Sequence, residues 1–390
     1  MAATGTRIPD STWQQRWCPL NGLVNLSAWI GHLALTVTLV NRVQATALDY
    51  RLLRVIKLFL LLSLPLAGLA LLEQLPGNTR AGTRPYWWLC HGWLAWLILD
   101  WTCRRFSPLR SWRDGAEETR RIDLAAASSS RLVRLCQRLP GNQVLQLEVN
   151  HKQIPLGPAA SEVAGLTVTH LSDLHFSDQM GKHYYEQICQ QANQLSSDMI
   201  CLSGDIVDQD HCREWLPETL GTLRARLGVY FVLGNHDDRH LDPDRLGEDL
   251  ASCGLIDLTG RTNLLDTGGG ELLLAGTGVP WHGSLQELGA FPGDHPLSLL
   301  LSHSPDTIGW ARRRGVSLLL AGHLHGGQIR LPLIGPVVSP SFHGVRFSGG
   351  RYRCGRTLLH VSRGVAGMQP LRWNCCPELT QLELTCELLP

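Results

Sequence analysis

Apolar and polar residues alternate differently in the two ends of this chain. Before residue 103 the apolar positions form long runs: Leu23 to Val40, Leu58 to Leu72 with Pro65 inside it, and Tyr86 to Leu99. Each is near or below the roughly 20 residues that span a hydrocarbon core. The second and third reach that length only with flanks such as Lys57 and Asp100, whose charges would snorkel to the interface. The runs have little amphipathic alternation and no polar face. A helical hairpin buried in a soluble domain therefore fits less well than a membrane anchor. A cleaved signal peptide also fits poorly, because the first run starts at residue 23 and two more follow it.

After residue 140 the runs become short and alternate in α/β fashion. Strands are predicted at Val144–Val149, Leu166–Leu171, Met199–Ser203, Val229–Leu233, Leu264–Asp266, Glu271–Ala275, Leu297–Ser302, Ser317–Leu320, Thr357–Ser362 and Leu379–Glu387. Helices are predicted at Lys182–Leu195, Glu214–Leu227, Asp242–Cys253 and Asp306–Arg314. Several short strands with helices between them suggest two packed sheets with helices outside. Residues 104–140 are Arg-rich and predicted helical, with Arg131, Arg134 and Arg138 on one face. Such a helix either lies on an anionic membrane surface or is a solvated linker. Pro140-Gly141 ends it. The expected organisation is a transmembrane helical anchor of about three segments over 1–103, an Arg-rich membrane-proximal linker over 104–140, and an α/β domain over 141–390.

Composition refines this picture. A net charge of +1 argues against a nucleic-acid partner. Nine of the 13 Trp residues precede residue 113, and Trp87, Trp88, Trp93, Trp96 and Trp101 suit an interfacial belt. The 12 Cys residues show no C-x-x-C pair, which points to reduced thiols rather than a disulfide framework. Arg42, Arg51, Arg54 and Lys57 lie between the first two runs, and only Arg80 and Arg84 between the second and third. Arg104, Arg105, Arg110, Arg113, Arg120 and Arg121 follow the third. The positive-inside rule then predicts a multi-pass protein of the inner (cytoplasmic) membrane with its α/β domain in the cytoplasm.

The candidate chemistry sits just after the strands. Asp173-Leu174-His175 follows Leu171, Gly204-Asp205-Ile206-Val207-Asp208 follows Ser203, and Gly234-Asn235-His236-Asp237 follows Leu233. Ser302-His303-Ser304-Pro305 and Gly322-His323-Leu324-His325 close two later strands. Strand ends in an α/β sheet form one rim, so these residues can converge. Carboxylate oxygen and imidazole nitrogen suit hard or borderline divalent metals, and one carboxylate can bridge two of them. Each motif alone is weak, but five in this order at strand ends are a strong signal.

The order D-x-H, G-D-x-x-D, G-N-H-D, lone His, G-H-x-H resembles the calcineurin-like metallophosphoesterase superfamily over about residues 144–388. The resemblance implies a four-layer αββα sandwich of two mixed β-sheets, here preceded by the α-helical anchor. It implies two divalent metal ions, Mn2+ foremost with Fe, Zn or Mg as alternatives. Asp173, His175, Asp205 and His325 would hold one, and Asp205, Asn235, His303 and His323 the other. His236 matches the catalytic His and Asp208 the residue that orients it. The implied reaction is hydrolysis of a phosphodiester or pyrophosphate bond. His325–Pro332 and Val361–Gly367 resemble a branch of bacterial membrane-associated phosphodiesterases that includes one class of UDP-2,3-diacylglucosamine pyrophosphatase of lipid A biosynthesis. Arg363 in the second segment is either a phosphate fork or a structural ion pair. The loop Leu331–Phe347 is apolar for a surface loop and could receive acyl chains or touch a membrane. The expected partners are a phosphorylated small-molecule or lipid substrate and the membrane. The alternatives are a general or envelope phosphodiesterase or phosphatase of the same superfamily and, in a different class, a non-catalytic membrane scaffold.

Overall fold

The computed structural model describes residues 19–72, 84–107, 110–127, 130–240, 242–286, 288, 297–367 and 369–388. Arg80, which enters the charge bias above, lies outside them. The chain divides into two compact units, one of Met1–Val40 with Asp49–Ser107, the other of Asn41–Leu48 with Pro108–Pro390.

The first unit is helical. The three apolar runs fold as α1 (Pro19–Gln44), α2 (Tyr50–Leu72) and α3 (Arg84–Arg105). Small residues let α1 and α3 approach closely. Ala28 and Cys90 are fully buried against Trp29, Tyr86 and Trp87. A Cβ on Gly31 would lie 2.1 Å from the Cys90 carbonyl oxygen, so only glycine fits there. Among the described residues one helix, over Leu23–Gln44, is long and apolar enough to cross a bilayer.

Among the described residues the second unit carries 15 strands. They are β1 (Glu118–Asp123), β2 (Gln146–Pro155), β3 (Thr167–Leu171), β4 (Met199–Leu202), β5 (Val229–Phe231), β6 (Ile256–Asp257), β7 (Thr262–Asp266), β8 (Glu271–Thr277), β9 (Ser298–Ser302), β10 (Leu318–Ala321), β11 (Arg330–Leu331), β12 (Gly335–Pro336), β13 (Gly350–Cys354), β14 (Thr357–Val361) and β15 (Glu378–Thr385). One mixed sheet runs β1-β2-β15-β3-β4-β5-β6 and the other β13-β14-β10-β9-β8-β7, with β11 and β12 forming a separate hairpin. Ile154, Val168, Tyr230 and Leu382 of the first sheet meet Leu272, Leu299, Leu318 and Leu358 of the second in one core. On its outer face the first sheet packs under Tyr184, Tyr185 and Ile188 of α4 (Lys182–Gln194) and Leu246 and Leu250 of α5 (Pro243–Ser252). The second sheet packs under Ile308 and Ala311 of α6 (Ile308–Arg313). This is the αββα sandwich expected from the sequence.

The α/β alternation matches the sequence reading from β2 onward, with local differences that have causes. The stretch expected as a helix over Glu214–Leu227 forms two 3-10 turns, Asp210–Glu218 and Leu220–Thr222. Pro217 inside it lacks the N–H that a continuing helix needs. α5 starts as read, because Asp242 caps the backbone N–H groups of Asp244 and Arg245 and Pro243 opens the first turn. The Arg-rich segment is not one helix. Residues 118–123 pair antiparallel with β2 and form the edge of the first sheet, Ile122↔Leu147 included. Charged side chains suit a solvent-facing edge strand, so the Arg content did not exclude β-structure. β1 thus belongs to the unit that carries the other strands, whose longer segment is Pro108–Pro390.

Candidate metal centre

The strands position the site. β3, β4 and β5 run parallel, as do β9 and β10, so their carboxyl ends deliver loops to the same rim. Backbone bonds tie the loops together. Asp173 N–H donates to Gly204 O at 3.1 Å, and His175 N–H to Asp205 O at 2.9 Å. Five of these loop residues have left-handed backbone: Asp173 (φ 52°), His175 (47°), Asp205 (52°), His323 (71°) and His325 (49°). Each costs of order 1–3 kcal/mol and persists only where the surrounding structure over-determines it. Close approach requires glycine at two positions. A Cβ on Gly234 would lie 2.3 Å from Asp205 Oδ1, and one on Gly322 would lie 2.6 Å from Asp173 Oδ2.

The side chains converge in two groups that share Asp205. Asp173, His175, Asp205 and His325 offer one set of donor atoms, and Asp205, His303 and His323 a second. In the first, His175 Nε2 and His325 Nε2 are 3.2 Å apart, and His325 Nε2 is 3.3 Å from Asp173 Oδ1. In the second, His303 Nε2 lies 3.3 Å from Asp205 Oδ1, 3.1 Å from Asn235 Oδ1 and 3.1 Å from His323 Nδ1. Three imidazoles are turned by their other nitrogen. His175 Nδ1 is 2.8 Å from Asp208 Oδ1, His303 Nδ1 2.7 Å from Ser203 O, and His325 Nδ1 3.1 Å from Ala366 O. Each of those contacts places the proton on Nδ1 and leaves Nε2 as a lone-pair donor facing the group. Bare nitrogens and carboxylate oxygens this close repel without a cation between them, so the donor set fits divalent metals.

Electrostatics follow the same geometry. Burial works to raise the Asp205 carboxyl, but His303, His236 and His175 hold it well below the usual carboxylate range. Asp208 is likewise held low against burial by the charge and hydrogen bonds of His175 and His236. His236 Nδ1 lies 3.0 Å from Asp208 Oδ1, and its ring meets that of His175 edge-on at 4.7 Å. One carboxylate oxygen thus orients a residue of the first donor group and the candidate catalytic His together.

Arg363 is turned elsewhere. Its Nε donates to Glu378 Oε2 at 2.6 Å and its Nη2 to Glu148 Oε2 at 2.7 Å. Its segment reaches the site through backbone. Ala366 O accepts from His325, and Gly364, at φ 69°, passes where a Cβ would be 2.7 Å from Asp173 Cβ. The fully buried Arg372 braces the same turn, donating to the carbonyl oxygens of Arg363, at 2.7 Å, and Ala366.

Two further contributors carried no role in the sequence reading. Asp237 accepts from the N–H groups of Ile206 (2.8 Å), Val207 (3.0 Å) and Gly234 (2.8 Å), joining the Asp205 and Asn235 loops. Burial, with the charge of Asp205 next, pushes its carboxyl up to about 6. Its place in the G-N-H-D block was the available signal. Trp281 packs its ring 4.7 Å from that of His323 and 5.5 Å from that of His303, and nothing in its local sequence marked it.

The chain resembles known proteins over this same unit. Residues 166–327 match the model of the calcineurin-like phosphoesterase family. Phosphodiesterase YaeI of Escherichia coli is 31% identical over 226 residues, 57% of this chain and 83% of that protein. The uncharacterized metallophosphoesterase YkuE of Bacillus subtilis is 30% identical over 56% of this chain and 79% of that protein. A Danio rerio transmembrane protein with metallophosphoesterase domain is 29% identical over 60% of this chain and 56% of its own length. Ordered strand-end motifs, converging donors and these relatives lead to one conclusion: the chain belongs to the calcineurin-like phosphoesterases and is a metal-dependent phosphoester hydrolase.

Proposed function

We propose that this chain is a membrane-anchored phosphoesterase with two divalent metal ions that hydrolyses a phosphodiester or pyrophosphate bond, with lipid-linked phosphates as its substrate class. The observation that carries the chemistry is the pair of donor groups sharing the buried Asp205. Asp173, His175, Asp205 and His325 hold one ion, and Asp205, Asn235, His303 and His323 the other, with Mn2+ the foremost candidate. Such ions, when bound, supply an activated water and neutralise charge on phosphoryl oxygens. The protein's own groups do the rest. His236, next to Asn235 in sequence, has Nδ1 fixed on Asp208 and so keeps Nε2 for the leaving oxygen, where it acts as a general acid. Asp208 positions both His236 and His175. Arg363, with two donors on carboxylates, acts as a structural ion pair rather than a phosphate fork.

The apolar helix over Leu23–Gln44 and the transmembrane name of the Danio rerio relative support the anchor. The two further apolar helices and the Arg bias support a multi-pass topology with the catalytic unit in the cytoplasm, and reporter fusions after residue 140 test it. An active site tethered to a bilayer by that anchor supports a lipid-linked substrate such as UDP-2,3-diacylglucosamine. The decisive experiment is a substrate panel on the purified full chain with Mn2+, comprising an aryl phosphodiester, an aryl monoester and UDP-2,3-diacylglucosamine. Hydrolysis of the diester or the lipid pyrophosphate in the wild type, absent in Asp205→Asn, is the expected result. Inertness toward all three would overturn the proposal.

A further inference from the structure

The loop after the last metal-site motif is apolar at its tip and is held in place just beyond it. It begins with the hairpin of β11 and β12, whose turn is Pro332-Leu333-Ile334. Leu333 is 80% exposed and Ile334 59%, and Val338 and Phe342 beyond the hairpin are also exposed. Two anchors hold this surface. Asp306, three residues after His303, accepts from Ser341 Oγ at 2.6 Å and from Phe342 N–H at 3.0 Å. Asn41, buried with the catalytic unit, donates to Val337 O at 3.2 Å and accepts from Ser339 N–H at 3.0 Å.

Asn41 also lies within the last turn of the apolar helix Leu23–Gln44. Chain connectivity leaves no linker between the two roles. If that helix crosses a bilayer, Asn41 sits at its water-facing end, and the backbone bonded to Asn41 must lie at the interface. Charge points the same way. The exposed Arg42 adjoins Asn41 in the chain and the exposed Arg346 lies in the same loop, while the acidic Asp306 is engaged by Ser341 and Phe342, so cationic side chains accompany the apolar surface. An apolar tip with a basic rim is the pattern of a surface that enters the headgroup region of an anionic bilayer.

We infer that Leu333, Ile334, Val338 and Phe342 form a membrane-contacting edge that inserts into an anionic lipid surface beside the metal site. This rests on the anchor proposed above and deepens it. A soluble phosphoester would reach the metals without that edge, whereas a headgroup phosphate would meet the site where the edge enters the bilayer. The apolar edge thus assigns a route for membrane-embedded substrate.

The test reads contact directly and without turnover. The full chain is reconstituted in phosphatidylcholine vesicles with or without phosphatidylglycerol, carrying a coumarin amino acid at position 333 or, as control, at the exposed Leu264 of β7. Lipids brominated along the acyl chain are expected to quench the probe at 333 and leave that at 264 unchanged. Adding phosphatidylglycerol should deepen the quenching, and R42Q/R346Q should remove that increment. Equal emission at both positions, with or without bromine, would overturn the inference. So would a probe at 333 that is shielded from water yet not quenched, which would mean that protein covers the edge. Because quenching needs no hydrolysis, failure of the phosphoesterase reading leaves this result intact, and the reverse. A second measurement uses L333D/I334D. Turnover of a soluble aryl phosphodiester should be unchanged, while turnover of a vesicle-embedded phosphodiester lipid should fall by an order of magnitude. An equal effect on both substrates would overturn the role in substrate access.

Discussion

The carboxylate of Asp208 lies 3.0 Å from Nδ1 of His236, in a loop whose own Asp205 belongs to both metal-donor groups. Orientation of the proposed acid and convergence of the metal-donor groups are therefore coupled through four residues of one loop. His236→Ala is expected to retain metal content while turnover falls by about 10²–10⁴-fold. Asp208→Asn is expected to behave differently, because it also releases His175, and metal affinity should fall by about 10–100-fold. Metal analysis together with steady-state kinetics separates the two patterns. Unchanged turnover in His236→Ala would remove that residue from the mechanism.

Asp205 is the shared donor, and its carboxylate is held ionised by His303, His236 and His175 against burial. Asp205→Asn keeps the shape and removes the charge. Bound metal, measured by plasma mass spectrometry after gel filtration, should drop below that of the wild type, and Mn2+-dependent turnover should be lost. Full metal content in this variant would refute a bridging role.

Gly234 has no room for a side chain, since a Cβ would meet Asp205 Oδ1 at 2.3 Å and Asp205 N at 2.4 Å. Gly234→Ala is expected to cost about 1–3 kcal/mol of stability. It should lower metal affinity more than its stability loss alone would suggest, because the strain falls on the carboxylate shared by both donor groups. Thermal unfolding with and without Mn2+ reads both effects, and a wild-type Mn2+-induced shift would count against this placement.

Away from the metals, Glu378 is buried between Lys152 and Arg363. Burial works to raise its carboxyl, but Arg363 and Lys152 hold it well below its ordinary value of 4.5. A depressed carboxyl stabilises the fold above the unfolded value and loses that contribution as pH falls toward the folded one. Glu378→Gln should therefore destabilise the protein at neutral pH by about 3–5 kcal/mol, since it leaves buried cations less compensated. The gap from wild type should narrow as pH drops below 4.5, which thermal unfolding across that range would show. A constant gap would mean that Glu378 does not titrate with folding.

Sequence alone determined the class of chemistry, because the ligand motifs are local. Each pairs a short apolar strand with a polar residue one to three positions beyond it, and strand ends of an α/β sheet share a rim. The same locality made the helices of the apolar runs legible. Tertiary structure decided what depends on distant partners. It assigned Arg363 to Glu148 and Glu378 rather than leaving both readings open, since a guanidinium serves whichever acceptors the fold brings to it. Residues 118–123 became an edge strand because β2 offered them a free side to pair with. Lys152, Arg351 and Arg372 are buried charges that no local pattern distinguishes from solvated ones, because burial of a charge is stable only beside partners supplied by other segments. Asp237 and Trp281 join the donor groups for the same reason: Asp237 bonds the Asp205 loop and Trp281 packs on His303 and His323, segments far away in sequence that only the packed fold brings to them.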